Sequence, residues 1–137
     1  MSIRAFITIL ILFLPLMMKG QENTFSSCES LMNDGYVSDG KEHIAKLDEN
    51  NKAVFHMTFY GGSDYRLIAC SDYQKRPLVL TVYDTEKNRL FCNTDHQNTP
   101  FWNFIFTSTV DCIVEIEIDA EEQISTEVML LIGFKEK

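Results

Sequence analysis

The sequence lacks reactive constellations. None of its four cysteines forms a C-x-x-C pair, so a paired-thiolate zinc site or a thioredoxin-type redox motif has no support. No serine sits in a G-x-S-x-G elbow, and no stretch follows the EF-hand calcium pattern. Basic residues are scarce, 12 Lys and Arg against 20 Asp and Glu, for a net charge of −8. An acidic chain without a basic stripe repels phosphate backbones, which disfavours nucleic acid and anionic membrane surfaces as partners. Internal repeats and low-complexity linkers are missing too, and the length suits one domain with a single core.

The one long apolar run, Ala5 to Met18, is interrupted at Pro15 and is short of the roughly 20 residues a membrane span needs. With Arg4 ahead of it, residues 1–20 read as a signal peptide cleaved near Gly20, although Met18 at the −3 position departs from the small-residue rule. Cys28 follows the polar stretch Gln21 to Ser27 and not the apolar run directly, which argues against a lipidated cysteine. Cleavage there takes away Arg4 and Lys19 and no acidic residue, so the net charge moves from −8 to −10. The expected location is secreted or periplasmic, with no membrane span in the mature chain.

What is present is alternation. Ala53, Phe55, Met57 and Phe59 share one parity, as do Trp102, Phe104 and Phe106, and then Cys112, Val114, Ile116 and Ile118. Glu115, Glu117 and Asp119 take the opposite side. Period two with one apolar face marks paired antiparallel strands. The aromatic stretch Pro100 to Asp119 reads as a hairpin turning at Thr107 to Asp111. Gly61-Gly62-Ser63-Asp64 reads as a tight reversal between two strands, and Asp84 to Asn88 as a turn into a short partner strand. Lys41 to Leu47 reads as an edge strand. In Glu127 to Lys135 both faces are apolar, as befits a central strand. About seven strands with turns every 8 to 12 residues or so predict an all-β, antiparallel two-sheet sandwich. Its expected core includes Phe55, Phe59, Trp102, Phe104, Phe106, Val114, Ile116 and Ile132. Domain limits are residues 21–38 for a leader with one short helical turn near Cys28, and 39–137 for the sandwich.

An even cysteine count in a secreted chain favours disulfides. If the strands ending at Cys70 and beginning at Cys112 are neighbours, those two bridge, leaving Cys28 with Cys92. The competing reading makes Cys70 and Cys112 buried thiols.

The segments YGGSDYRLIAC, PLVLTVYD, RLFCN, PFWNFIFTSTVDCIVEIEID and EVMLLIGFK together resemble a jelly-roll sandwich similar to bacterial pre-peptidase C-terminal domains. More closely they resemble small secreted Bacteroidetes proteins, uncharacterised as a group, that share the Y-G-G-x-x-Y-R, V-Y-D, F-W-x-F and L-I-G-F-K elements. The resemblance spans about Asp39 to Lys135 and implies a jelly-roll fold outside the cytoplasm. It implies no activity, and no catalytic domain accompanies the sandwich.

Candidate site residues are few. His43, His56 and His96 lack a nucleophile in a recognisable setting, so no catalytic residue, metal ligand or cofactor is expected and the chain is not read as an enzyme. Asp84, Asp95 and His96 fall on loops that one end of a sandwich could gather as a candidate ligand loop, the two carboxylates being hard oxygen donors suited to calcium. Turn aspartates more often bond their own backbone, and Asp64 invites the same reading. Tyr60, Tyr65, Tyr73, Tyr83, Phe101 and Trp102 supply aromatic surface for sugar stacking, although Trp102 has inward parity. The expected function is a non-enzymatic interaction module at the cell envelope, its partner a protein or glycan; the alternative is a carbohydrate- or calcium-binding accessory domain.

Overall fold

A computed structural model describes residues 26–135, so the signal-peptide reading lies outside the described residues. One helical turn, α1 (Ser26–Glu29), is followed by β1 (Val37–Ser38), β2 (His43–Lys46), β3 (Lys52–Phe59), β4 (Asp64–Ser71), β5 (Leu78–Asp84), β6 (Arg89–Cys92), a 3-10 turn (Asn93–His96), β7 (Phe101–Ile105), β8 (Val110–Ile118) and β9 (Glu127–Lys135). The strands form two antiparallel sheets. The first runs β1-β9-β4-β7, with β2 also on β9, and the second runs β3-β8-β5-β6. From β2 onward the chain passes from one sheet to the other at nearly every connection, giving the strand order of a jelly roll.

Alternation explains the core. Phe59, Leu67, Leu80, Val82, Val114, Ile116, Val128 and Leu130 are buried between the sheets. Of the expected core, Phe59, Val114, Ile116 and Ile132 are buried, whereas Phe55, Trp102, Phe104 and Phe106 pack against the core half-buried. β9 is central, flanked by β4 on one side and by β1 and β2 on the other. β2 lies at an edge, and β5 with β6 makes a hairpin whose register shifts at Val82/Tyr83.

The aromatic stretch is not a hairpin. β7 pairs with β4 in the first sheet, while β8 pairs with β3 and β5 in the second. Likewise the Gly61-Gly62 reversal carries the chain from β3 to the other sheet. Period two requires an antiparallel neighbour and a covered face without saying which strand is the neighbour. Here the cover for β7 comes from across the sandwich: Phe106 stacks on Phe59 at 4.8 Å and Phe104 meets Phe91 at 5.2 Å. The two crossings touch, Gly62 N donating to Phe106 O at 2.8 Å.

The disulfide expectation is also corrected: the bridge joins Cys28 to Cys70, and Cys92 and Cys112 are free and buried. Cys112 points into the core between the sheets. Cys70, with Ile68, points to the outer face of the first sheet. The cysteines thus belong to opposite sheets and opposite faces. Cys28 reaches Cys70 because residues 28–36 lie as a strap across β4 and β9, where Leu31 and Met32 cover Ile68, Met129 and Leu131. That is why β9 is apolar on both sides. Gly133 makes the close approach feasible, since a Cβ there would overlap Met32 Sδ. Two buried asparagines fix loops. Asn51 accepts from Ile124 N at 2.7 Å and donates to Glu122 O at 2.8 Å; Asn93 accepts from Leu80 N at 2.9 Å and donates to Leu78 O at 2.8 Å.

Candidate functional site: the uncovered face of the second sheet

The three histidines lie on separate elements. His43 on β2 sits with Nε2 3.6 Å from Asp39 Oδ2 and its ring edge-on to Phe55. His56 is exposed on the outer side of β3. His96, in the 3-10 turn, lies over Trp102 with ring centres 4.1 Å apart and stacks on Phe91 at 5.4 Å. Among the described residues no group of three or more His, Cys, Asp and Glu side chains is placed to hold a metal ion.

The loop residues Asp84, Asp95 and His96 are not gathered at one end. Asp84 closes the β5–β6 turn, and Asp95 and His96 follow β6, so the length of β6 separates them. Asp84 accepts from Asn88 N at 2.8 Å, Asn88 Nδ2 at 2.9 Å and Glu86 N at 3.0 Å, and the Asn88 bonds hold its carboxyl below the usual range. Asp95 is taken by Arg89 at 2.7 Å. Both carboxylates have their partners within the protein.

Trp102 keeps its inward parity but is half-buried at the open side of the sandwich between β6 and β7. Phe91, centred 5.1 Å away, and His96 both lie against the indole. The arrangement closes the sandwich edge and does not offer the indole as a flat platform.

Arg66 is the residue sequence reasoning missed. It is 3 % exposed on the outer face of β4. Its Nε donates to Asn103 Oδ1 at 2.7 Å, and Nη1 donates to Leu31 O at 2.8 Å and Asn33 Oδ1 at 2.7 Å. The guanidinium lies 4.4 Å from the Tyr36 ring centre and 4.7 Å from that of Phe101. An always-charged planar fork can bind carbonyls at its rim while its faces meet aromatic rings. The one signal in the sequence was an arginine directly before Leu67 to Cys70, a run apolar on both sides.

The strap, the disulfide and Arg66 cover the first sheet, whereas among the described residues the outer side of the second sheet carries no such cover. A shallow groove of about 600 Å³ runs over it, lined by Lys52, Val54, His56, Tyr83, Lys87, Ile113 and Glu115. Lys52 pairs with Glu115 at 3.5 Å, and that carboxylate, outweighing the cost of burial, raises the lysine's pKa. Val54 is 44 % exposed in the groove, so the face mixes apolar area with fixed charge.

The two free thiols differ. Burial, with Asp84 and Asp111 nearby, pushes the Cys112 thiol up to about 11. Burial also opposes ionisation of Cys92, but hydrogen bonding with Thr94 and Thr81 and the charge of Arg89 more than offset it, leaving that thiol below its ordinary value.

A scan against known protein families and a search of curated proteins found no match to the chain. Among the described residues no helix is long and apolar enough to cross a membrane.

Proposed function

We propose that the protein is a non-enzymatic, extracytoplasmic interaction module that meets a protein partner on the open face of the β3-β8-β5-β6 sheet. The observation that carries this is the asymmetry of the sandwich. One outer face is covered by the strap held by Cys28–Cys70 and Arg66, and among the described residues the other is left bare with Val54, Ile113 and Tyr83 around the groove. The intramolecular disulfide supports a secreted or periplasmic location, since such bonds persist in oxidising compartments. The apolar side chains supply contact area, and Lys52, Lys87 and Glu115 supply orientation.

The carbohydrate and calcium readings draw less support, because the indole is engaged by His96 and Phe91 and the loop aspartates by their own turns. The test compares capture from envelope extract by the parent with capture by a Val54→Asp/Ile113→Asp variant of unchanged circular dichroism. A species retained by the parent and lost by that variant, but kept by Tyr60→Ala, is the expected result. Equal capture by all three overturns the assignment of the face. A melting temperature raised by calcium and lowered by chelator would favour a calcium-binding domain instead.

A further inference from the structure

We infer that the protein associates with a second copy of itself through the free edge of β3, with His56 on the two-fold axis. This rests on the backbone of β3 and is independent of which partner the open face takes.

Among the described residues β3 pairs only with β8, over eight residues and without a register shift. Asn51 O accepts from Ile118 N at 3.0 Å. Alternation then directs the N–H and C=O groups of Ala53, Phe55, Met57 and Phe59 to β8, and those of Val54, His56 and Thr58 to the open side. Both ends agree with that parity. The Lys52 amide donates to Asp48 Oδ1 at 3.0 Å and its carbonyl accepts from Asp48 N at 2.9 Å, while Tyr60 N donates to Tyr65 Oη at 3.0 Å. Between these satisfied ends lies a row of outward-facing donors and acceptors.

Edges of this kind are usually blunted by charge, proline, bulges or shortness. The other edges here are blunted. β6 has four residues and adjoins the register shift in β5, β7 has five and follows Pro100, and β1 and β2 are separated by residues 39–42. β3 is not: Ala53 to Ser63 holds no Asp, Glu, Lys, Arg or Pro. In a chain of net charge −8, this edge carries its one charge on Lys52 at the start of the strand. Asp39 and Lys41, one of each sign, line the cleft beside His56 and Thr58, so two copies meet here with little repulsion.

The row is self-complementary. Rotation about His56 sets Val54 opposite Thr58 of the second copy and His56 opposite its own counterpart, and every free backbone group on both strands finds a partner. Moving the axis to Phe55 or Met57 leaves some of those groups unpaired. The same register sets Lys52 opposite Tyr60 of the second copy, a cation against an aromatic ring and not against a like charge. An isologous contact of this form closes as a dimer, and it joins the two β3-β8-β5-β6 sheets into one continuous sheet.

Sedimentation equilibrium of the purified protein is expected to show a reversible dimer. His56→Pro removes an amide that faces away from β8, so the monomer keeps its fold by circular dichroism while the dissociation constant rises by about a hundredfold or more. Val54→Lys, which blunts the edge without touching the backbone, is expected to act in the same direction. His56→Cys is expected to form a covalent dimer on mild oxidation, because opposed hydrogen-bonded residues lie about 5.5 Å apart at Cα, within disulfide reach. Val54→Cys is expected to cross-link only when mixed with Thr58→Cys. A protein that stays monomeric at every concentration, its edge serving a strand of some other protein or none, overturns the inference. So does a dimer that ignores both edge substitutions and leaves His56→Cys unlinked.

Discussion

Arg66 shows how much one side chain holds here. Its guanidinium ties residues 31–34 to β4 and Asn103 on β7, with the rings of Tyr36 and Phe101 packed against it. Arg66→Ala removes charge-assisted bonds and leaves the Leu31 carbonyl and the Asn33 side chain short of a donor. We expect a loss of about 3 kcal/mol in a urea melt, with Arg66→Lys falling between because an ammonium cannot reproduce the fork. A parent-like midpoint for Arg66→Ala would show that the strap is held without it. Cys112 gives a pH signature. The folded state pushes its pKa from 9.0 up to about 11, so the native protein holds the thiol proton more tightly than the unfolded chain. That stability is complete below the ordinary thiol value and is lost as pH rises toward about 11. The fall in stability between those limits is expected to shrink in Cys112→Ala, measured against the parent's own profile. A buried Cys112 thiol is one of the two readings the sequence leaves open, and the structure selects it; the anchoring of Arg66 was not legible, because its partners come from segments distant along the chain.

At the scale of elements, strand positions followed from alternation, and of the neighbours the β5–β6 hairpin followed from its turn at Asp84 to Asn88, while the partners of β3, β7 and β8 did not. The inward parity of Ala53, Phe55, Met57 and Phe59 is as the pattern requires, and so is the doubly apolar β9. The aromatic segment and β8 separated into different sheets because Trp102, Phe104 and Phe106 find their cover on Phe91 and Phe59 of the second sheet. Residues 28–36, read as part of a leader, are a strap, and its attachment is testable. Reducing the Cys28–Cys70 bridge, or replacing both cysteines by serine, frees a loop of 42 residues in sequence separation. By the loop-entropy relation that loss costs about 3–4 kcal/mol. We expect the double variant to stay folded, with far-ultraviolet dichroism unchanged and fast hydrogen exchange confined to residues 28–36. Protection retained there would mean that Leu31, Met32 and Arg66 suffice.

For the molecule as a whole, coverage decides what surface remains. The strap takes one face, His96 and Phe91 close the side beside Trp102, and the open β3-β8-β5-β6 face with the bare edge of β3 is left. Little of this candidate surface was legible in advance. The shared parity of Ala53, Phe55, Met57 and Phe59 implies that His56 and Tyr60 face the other way, but Lys52, Tyr83, Lys87 and Ile113 meet His56 only through the pairing of β3 with β8 and of β8 with β5. The loop trio Asp84, Asp95 and His96 looked promising because loop ends cluster in sandwiches, and the length of β6 keeps it apart.

By itself the sequence determined the all-β class, the antiparallel sandwich, the place of each main strand and, in the alternating segments from Ala53, Trp102 and Cys112, the side each residue faces, since period two and turn residues are local properties of the chain. Only the tertiary structure decided which strands adjoin beyond the β5–β6 hairpin, which cysteines bridge, where Arg66 is anchored and which face stays uncovered among the described residues. Those depend on contacts between residues far apart in sequence, and alternation is satisfied equally well by many pairings until packing selects one.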